Sequence, residues 1–273
     1  MSQDIKQLLR RIGVRPSKER GQNFLLDLQA LESIVEFGKP QPDENLLEIG
    51  PGLGALTAEL NSLAPLTVVE LEPAFVRHLS RTFPDLKIIQ SDIREVDLTE
   101  FKKPLVIFGN LPYSLSSEIL FYMIAYSTEI RRAVLLLQKE FVARLSAKPG
   151  VKAYGALSIS CQMAADVRTG PIIGPECFHP KPKIDSQVIE LRFLDTPRYE
   201  LLDRFTFLRL VRDSFAHRRR KIMNSLLAEG NFTRQVLESA MTTCGISPEL
   251  RAEALSMEDY ARLSDQIFLL EKE

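Results

Sequence analysis

Hydrophobic residues in the first 196 positions form short Val-, Ile- and Leu-rich runs, separated by segments with apolar residues at helical spacing. Continuous apolar runs of strand length are typical of parallel sheets that are covered on both faces. We predict strands over residues 45–49, 66–71, 86–91, 105–109, 133–138 and 186–193, with helices at 53–63, 73–82, 116–124 and 140–147. This alternation predicts an α/β fold with a doubly wound, Rossmann-like sheet.

The apolar pattern changes near residue 197, where the strand-like runs end. Large apolar residues then recur three, four or seven positions apart, as on one helix face: Phe205, Leu208, Val211, Phe215, Ile222 and Leu226. Glycine-containing turns after residues 229 and 244 separate further helical segments. We therefore predict two domains, an α/β domain over residues 1–196 and a smaller all-helical domain over residues 197–273.

Composition excludes several classes of protein. The 273 residues include 35 Lys and Arg against 36 Asp and Glu, so the net charge is close to zero. No apolar run approaches the roughly 18 residues of a membrane span, and the first residues have no apolar signal-peptide core. The three cysteines form no Cys-x-x-Cys pair, which argues against a disulfide scaffold or a zinc ribbon. We expect a cytoplasmic protein with no metal site and no membrane contact.

A glycine-rich turn follows the first predicted strand, within Leu46-Leu-Glu-Ile-Gly-Pro-Gly-Leu-Gly54. Glycines let the backbone bend tightly and approach a ligand, with helix N–H groups nearby. The spacing Gly50-x-Gly52-x-x-Ala55 fits a loose dinucleotide fingerprint, and Glu70 ends the next strand, where ribose hydroxyls can be held. Three interpretations stay open at this point: a turn that needs glycine for packing, a nicotinamide dinucleotide site, and an S-adenosylmethionine site.

The segment Phe108-Gly-Asn-Leu-Pro-Tyr113 lies at the carboxyl end of the fourth predicted strand, the edge where open α/β sheets bind ligands. Asn110 offers a side-chain carbonyl, Leu111 precedes a proline and is biased towards an extended backbone, and Tyr113 offers a ring face. Two acceptors beside an aromatic ring suit a planar base that carries an amino group. A hydride-transfer enzyme has no evident need for them. A purely structural loop is less favoured beside the glycine-rich turn and Glu70.

These motifs resemble those of the ribosomal RNA adenine dimethyltransferases, specifically those acting on the 3′-terminal hairpin of small-subunit ribosomal RNA. The resemblance covers nearly the whole chain. The matching segments, in the family's order, are Gly21-Gln-Asn-Phe-Leu25, Glu48-Ile-Gly-Pro-Gly-Leu-Gly54, Val69-Glu-Leu71, Gln90-Ser-Asp92, Gly109-Asn-Leu-Pro-Tyr113, Leu137-Gln-Lys-Glu140, Lys152-Ala-Tyr-Gly-Ala-Leu-Ser158, Phe178-His-Pro-Lys-Pro-Lys-Ile-Asp-Ser186 and Arg218-Arg-Arg-Lys221. The resemblance implies a class I methyltransferase, with a catalytic first domain and an RNA- or ribosome-binding helical domain.

The resemblance also implies an S-adenosylmethionine site. Glu70 would take the ribose hydroxyls, and Asp92 would accept a hydrogen bond from the amino group of the cofactor's adenine. The amino-terminal segment would close over the cofactor, and the glycine-rich loop would line its methionine portion. The implied cofactor-binding residues are Asn23, Leu25, Glu48, Gly50, Gly52, Glu70, Asp92 and Asn110.

The target adenine would be held by Asn110, Leu111, Pro112 and Tyr113, with Phe178 flanking its opposite face. The exocyclic nitrogen of adenine is a poor nucleophile because its lone pair is delocalised into the ring. Acceptors at Asn110 and the Leu111 or Pro112 backbone would localise that pair and aim it at the sulfonium methyl group. Direct displacement needs neither a metal nor a strong base, so we assign neither. The target base must be unstacked to reach the site.

Basic residues are unevenly distributed, with seven between Arg204 and Lys221 against Asp213 alone. A basic run of this kind is compatible with a polyanionic partner, although it can also be a solvated helix face. Beside an adenine-methylating site we favour RNA contacts. The candidate RNA-binding residues are Lys181, Lys183, Arg218, Arg219, Arg220 and Lys221. The expected partner is small-subunit ribosomal RNA or the immature small ribosomal subunit, and we expect the protein to be a monomer.

Three alternatives remain. One is a related enzyme that methylates large-subunit ribosomal RNA and confers antibiotic resistance, although residues 152–158 and the long helical tail favour the small subunit. A second is a non-catalytic assembly or transcription factor on the same fold, against which the intact Asn-Leu-Pro-Tyr segment argues. The third is a nicotinamide dehydrogenase, which failure to bind S-adenosylmethionine would favour.

Overall fold

The computed structural model describes residues 2–14 and 23–272, so Gly21 and Gln22 of the first family motif lie outside the described residues. The chain divides into two compact units. The first, called here the α/β unit, comprises the residues up to Val142 together with Ala165–Asp195. The second, called here the helical unit, comprises Ala143–Ala164 together with the residues from Thr196 onward.

The strands of the described residues all lie in the α/β unit. They are β1 (Phe24–Leu25), β2 (Asn45–Ile49), β3 (Leu66–Glu70), β4 (Lys87–Gln90), β5 (Leu105–Asn110), β6 (Ile130–Gln138), β7 (Ala165–Ile173), β8 (Phe178–His179) and β9 (Ser186–Phe193). Seven of them form one sheet in the order β4-β3-β2-β5-β6-β9-β7, and β1 pairs with β8 in a separate antiparallel ladder. The predicted Rossmann-like sheet is therefore confirmed, with β2 and β9 at the predicted bounds.

Helices connect the strands of the α/β unit and build the helical unit. They are α1 (Ser2–Arg11), α2 (Leu28–Gly38), α3 (Ala55–Leu60), α4 (Pro73–Thr82), α5 (Ser116–Ala125), α6 (Lys139–Leu145), α7 (Ala156–Ala164), α8 (Arg204–Ala216), α9 (Ile222–Glu229), α10 (Arg234–Cys244) and α11 (Met257–Leu270). Among the described helices, none is both long and apolar enough to cross a membrane.

The central sheet is parallel from β4 to β6 and antiparallel at its other edge. β2 pairs in parallel with β3 and with β5, and β6 is parallel to β5. β9 runs antiparallel to both β6 and β7, which differs from the parallel arrangement expected for residues 186–193. The connection from β7 to β9 contains no crossover helix, and a parallel pair requires one. The sheet is consequently mixed.

The predicted domain boundary near residue 196 differs from the observed division, because residues 143–164 belong to the helical unit. Tyr154, Ile159 and Met163 are buried in one hydrophobic cluster with Phe207 and Leu210 of α8. Apolar spacing along the chain could not reveal this packing, since the two segments are distant in sequence.

Part of the apolar set recognised by its helical spacing is buried in the helical unit, and two of its members on α8 are exposed. Phe205 is 86% exposed and Leu208 is 40% exposed, whereas Phe207 and Leu210 are buried with Val211. Both sets of positions recur at helical spacing, so the pattern alone did not decide between them. The prediction of a helical tail is confirmed. Val211, Ile222 and Leu226 of the set with helical spacing are buried, whereas Phe205 and Leu208 are exposed.

Candidate active site

A cavity of about 560 Å³ opens at the carboxyl ends of β2, β3 and β5. The chain runs outward from β2 to β4 and then returns to β5 beside β2, so this edge is the switch point at which open α/β sheets bind ligands. The cavity brings together many of the residues singled out in the sequence: Asn23, Leu25, Glu48, Gly50, Gly52, Glu70, Asp92, Asn110, Leu111, Pro112 and Tyr113.

The glycine-rich loop between β2 and α3 has a backbone that favours glycine. Gly50, Gly52 and Gly54 have φ of 67°, 55° and 83°, in the left-handed region. A Cβ on Gly52 would lie 3.2 Å from the ring of Phe24, and one on Gly50 would meet no atom within 4 Å. The backbone at Gly50 therefore adjoins open space in the cavity, where a ligand can approach it closely.

Glu70 links this loop to the end of β3. Its side chain is buried, and its carboxylate oxygens accept hydrogen bonds from the backbone N–H groups of Gly52 at 3.1 Å and Glu72 at 2.8 Å. Burial raises the pKa of Glu70, while these two hydrogen bonds act in the opposite direction. A carboxylate has about four lone-pair positions, so capacity remains for hydroxyl donors in the cavity.

Glu48 lies on β2 beneath the loop and is almost completely buried. Its Oε2 accepts a hydrogen bond from the Thr57 hydroxyl at 2.6 Å. Burial raises the pKa of Glu48 to about 8, against the lowering effect of the Thr57 hydrogen bond and with a smaller raising effect of the Glu70 charge. Glu48 therefore carries a proton at neutral pH in a large fraction of the molecules.

The raised pKa of Glu48 predicts a stability effect of Glu48→Gln. A folded-state pKa above the unfolded value contributes stability at low pH that is lost as pH rises through about 8. The amide keeps an acceptor for Thr57 and does not ionise. We expect Glu48→Gln to raise Tm by roughly 3–8 °C at pH 8.5 and by less at pH 5, since one kcal/mol moves Tm by about 2–4 °C.

Thermal melts of both proteins from pH 5 to pH 9 measure this effect, with Glu36→Gln, a change at an exposed position of α2, as the matched control. Parallel Tm profiles for the wild type and Glu48→Gln would contradict the interpretation.

Asp92 follows β4 and is held by Arg94. Its Oδ1 accepts from the backbone N–H and Nε of Arg94 at 2.9 and 3.0 Å, and its Oδ2 pairs with a terminal guanidinium nitrogen at 2.6 Å. The hydrogen bonds from the Arg94 side chain lower the pKa of Asp92. The sequence did not single out Arg94, because a basic residue in a loop after a strand has no distinctive pattern.

Asn110 ends β5 at the cavity. Its Nδ2 donates to the backbone carbonyl of Asn23 at 2.9 Å, which orients the Oδ1 atom as the acceptor end of the amide. The Pro112 carbonyl already accepts from the Leu115 N–H at 3.0 Å and the Ser116 hydroxyl at 3.2 Å. Of the two backbone acceptors considered from the sequence, Leu111 is therefore the better candidate. The Leu111 side chain itself is buried.

Tyr113 is anchored by a residue that sequence reasoning did not assign a role. Its hydroxyl lies 2.7 Å from the hydroxyl of Ser186, which is fully buried at the start of β9. Burial raises the pKa of Tyr113, so the phenol stays neutral. The hydrogen bond fixes the outer end of the ring. Ser186 is the last residue of the family motif that begins at Phe178, and its place in that motif could have identified it from the sequence.

Phe178 does not line the cavity, whereas the other predicted catalytic residues, Asn110, Leu111, Pro112 and Tyr113, do. Among the residues that the structure describes, it is 5% exposed, pairs through β8 with Leu25 of β1, and belongs to the buried core of the α/β unit. Phe24, which was not predicted, does line the cavity and contacts Phe75 edge to face with ring centres 5.5 Å apart. The aromatic rings that line the cavity therefore include Phe24 and Tyr113 but not Phe178.

The candidate RNA-binding residues lie on the surface of their respective units. Lys181 and Lys183 are exposed in the loop between β8 and β9. Arg219 and Arg220 are exposed in the turn between α8 and α9, not on a helix face.

Two residues of the same basic run also have structural contacts. Arg218 donates to the carbonyls of Lys152 and Tyr154, both at 2.7 Å, and so ties the 152–154 segment to the turn. Lys221 forms an ion pair with Glu249. These contacts make Arg219 and Arg220 the residues of this run best placed for a test of RNA binding.

The fold and the cavity define a class I S-adenosylmethionine-dependent methyltransferase. A seven-stranded sheet with one antiparallel edge carries a glycine-rich loop after β2 and an acid at the end of β3. The profile of the ribosomal RNA adenine dimethylase family matches residues 15–268, and the chain belongs to this family. The family suggested by the sequence motifs is therefore confirmed, and with it the methyltransferase class and the cofactor.

Individual relatives agree with this assignment. The chain is 38% identical to ribosomal RNA small subunit methyltransferase A of Geobacter metallireducens, over 94% of this chain and 98% of the relative. It is 39% identical to the protein of the same name from Desulforapulum autotrophicum, over 96% and 95% of the two chains.

Two solved structures share the fold. A dimethyladenosine transferase from Plasmodium falciparum gives a TM-score of 0.71 at 23% identity, over 88% of this chain and 95% of that one. The 23S rRNA methyltransferase ErmE gives 0.68 at 24% identity, over 90% and 99%. At these identities the likeness concerns the fold alone.

The cavity fits S-adenosylmethionine on its own evidence. Its volume lies within the range of about 300–1,000 Å³ that is usual for small-molecule and cofactor sites. The acids Glu70 and Asp92 supply acceptors for hydroxyl and amino donors, and the backbone at Gly50 is open to close approach. The residues present therefore match the donors of an adenosine-containing cofactor.

Proposed function

We propose that this protein dimethylates the exocyclic N6 nitrogen of two adjacent adenosines in the 3′-terminal hairpin loop of small-subunit ribosomal RNA. The observation that carries the proposal is the site at the end of β5, where the Asn110 amide, the Leu111 backbone and the Tyr113 ring meet in the cavity that contains Glu70 and Asp92. Two acceptors and an aromatic face suit adenine. The acids nearby suit the adenosine portion of the cofactor.

The proposed roles follow from this geometry. S-adenosylmethionine, when bound, supplies an electrophilic methyl group on its sulfonium. Asn110 Oδ1 and the Leu111 carbonyl accept hydrogen bonds from the adenine amino group, which concentrates its lone pair outside the ring plane and orients it. Tyr113, with its hydroxyl held by Ser186, presents a ring face for stacking. The proton leaves after transfer, so no general base is assigned.

The proposed cofactor contacts divide between the loop and the strand ends. Glu70 holds the ribose, Asp92 the adenine amino group, and Glu48, Gly50 and Gly52 shape the loop around the methionine portion. Asn23 and Leu25 close the amino-terminal side, where the Asn23 carbonyl meets the Asn110 amide. Phe178 supports this side from the core through the β1–β8 pair, and direct stacking on the target falls to Tyr113.

We assign RNA binding to the helical unit and to the loop carrying Lys181 and Lys183. The support is the exposed basic turn at Arg219 and Arg220, beside which Asn224 and Arg234 line a shallow concavity. The partner is the immature small ribosomal subunit, on which the protein acts as a cytoplasmic monomer. The target adenosine leaves its stack to enter the cavity, as other base-modifying enzymes require.

The double change Arg219→Ala and Arg220→Ala is expected to weaken binding to small-subunit RNA and to flatten its salt dependence. Each lost phosphate contact lowers the slope of log K against log salt by about 0.7–0.9. Filter binding from 50 to 300 mM salt measures the slope. The matched control, Arg77→Ala with Arg81→Ala, removes two exposed arginines of α4 and is expected to leave it unchanged. Equal slopes in both double variants would reject the RNA contact.

The proposed function is tested by methyl transfer from labelled S-adenosylmethionine to purified ribosomal particles that lack the modification. We expect label in small-subunit particles and none in large-subunit particles. Label confined to the large subunit would support the antibiotic-resistance type of enzyme instead. Cofactor binding without transfer to either particle would favour a non-catalytic assembly factor.

A further inference from the structure

Arg94 occupies most of the hydrogen-bonding capacity of Asp92. Three donors of Arg94, namely the backbone N–H, Nε and one terminal nitrogen, contact the two oxygens of that carboxylate. A carboxylate offers about four lone-pair positions, two on each oxygen. Oδ1 accepts twice and Oδ2 once, so one acceptor position is left on Oδ2. A ligand in the cavity therefore meets an acid that has room for one more donor.

Arg94 is itself held from a second side. Its other terminal nitrogen pairs with Glu118, in the first turn of α5. Tyr122, also on α5, donates to the Val96 carbonyl in the loop that carries Asp92. Helix α5 begins directly after the Asn110–Tyr113 segment, so the loop after β4 is fastened to the element that continues from the proposed target-adenine site.

Folding stability does not account for this arrangement well. The side chains of Arg94 and Glu118 are 39% and 55% exposed, and ion pairs this exposed add little to stability. Asp92 is less exposed, at 18%, and lines the cavity. The guanidinium fork fixes the plane of a carboxylate through parallel hydrogen bonds, which a single point charge does not do. Orientation of Asp92 is thus the distinctive consequence of these contacts.

We propose that Arg94 is a positioning residue for cofactor selectivity, which orients Asp92 so that its remaining acceptor position receives an amino group on the purine ring, with Glu118 holding Arg94 in place. This inference rests on the proposed role of Asp92 in binding the cofactor's adenine. The hydrogen bonds from Arg94 also lower the pKa of Asp92, which keeps it an acceptor without a proton to donate. A purine with a carbonyl in place of the amino group is then rejected.

The test compares two ligands by calorimetry: S-adenosylhomocysteine and its counterpart with hypoxanthine in place of adenine. We expect Arg94→Ala to weaken binding of the adenine ligand by about three- to tenfold, the effect of one ordinary hydrogen bond. The preference for adenine over hypoxanthine should fall with it. Arg94→Lys keeps the positive charge but lacks the two parallel donors of the guanidinium group. We expect it to restore little of the affinity for the adenine ligand or of the preference for adenine over hypoxanthine. Glu118→Gln should lie between Arg94→Ala and the wild type.

Arg192→Ala is the matched control, because it removes an exposed arginine that pairs with Glu190 on β9, and Arg192 does not line the cavity. Its ligand affinities should equal those of the wild type. Arg94→Ala with unchanged or tighter affinity, or with the wild-type preference for adenine, would overturn the inference, as would full recovery in Arg94→Lys. An Asp92→Ala variant, which removes both acceptor oxygens, separates the role of Arg94 from that of Asp92. If the Asp92 variant binds the adenine ligand more weakly but Arg94→Ala does not, only the role of Arg94 is rejected. If the Asp92 variant binds it as tightly as the wild type, the proposed role of Asp92 itself is rejected.

Discussion

Asn110→Ala is expected to lower the rate of methyl transfer by about 10²–10³-fold, the usual effect of removing one preorganised hydrogen bond to a transition state. The Asn110 amide has its Nδ2 committed to the Asn23 carbonyl, so its Oδ1 is oriented before the substrate arrives. Single-turnover assays on small-subunit particles measure the rate. Both methyl additions should be slowed, because the same acceptor serves each of them.

Two measurements separate this role of Asn110 from a structural one. Affinity for S-adenosylhomocysteine should change much less than the rate, and Asn110→Asp, which keeps an acceptor but loses the donor to Asn23, should retain more activity than Asn110→Ala. Normal turnover of Asn110→Ala on intact particles would show that the adenine is positioned mainly by stacking on Tyr113.

Glu70→Ala is expected to weaken S-adenosylmethionine binding by about 1.5–3 kcal/mol, which corresponds to roughly 10–150-fold in Kd. The change removes a carboxylate that faces the cavity and also accepts from the Gly52 and Glu72 N–H groups. Calorimetry measures Kd, and Glu70→Gln, which keeps one acceptor, should give an intermediate value. Unchanged affinity in Glu70→Ala would show that Glu70 serves only to brace the loop.

The elements with continuous apolar runs or clear helical starts were predictable from the sequence. β2 and β9 are strongly buried, and α4 begins with a proline at its first turn, so all three have the predicted bounds. β7 was missed because it is an edge strand with exposed polar positions and Gly170-Pro171 in its middle. Such a strand has neither the apolar run nor the regular alternation that identifies one.

The composition of the cavity was largely predictable, whereas its internal contacts were not. The loop glycines follow β2, and Glu70 and Asn110 are the last residues of β3 and β5, so all of them lie at the same edge of the sheet. Their spacing along the chain relative to the apolar runs made this placement predictable. The Asn110–Asn23 and Tyr113–Ser186 hydrogen bonds join residues 87 and 73 positions apart, and no local pattern records them. Phe178 illustrates the same limit. The family resemblance implied that it flanks the target adenine, but its ring is buried in the core, where its strand pairs with β1.

Dimethylation is measured most directly by mass spectrometry of small-subunit ribosomal RNA, after particles that lack the modification have been incubated with this protein and S-adenosylmethionine. We expect two adjacent N6,N6-dimethyladenosines in the 3′-terminal hairpin loop, and their absence when Asn110→Ala replaces the wild type under single-turnover conditions. Methylation at another position of the RNA, or accumulation of monomethyladenosine alone with the wild-type protein, would contradict this expectation.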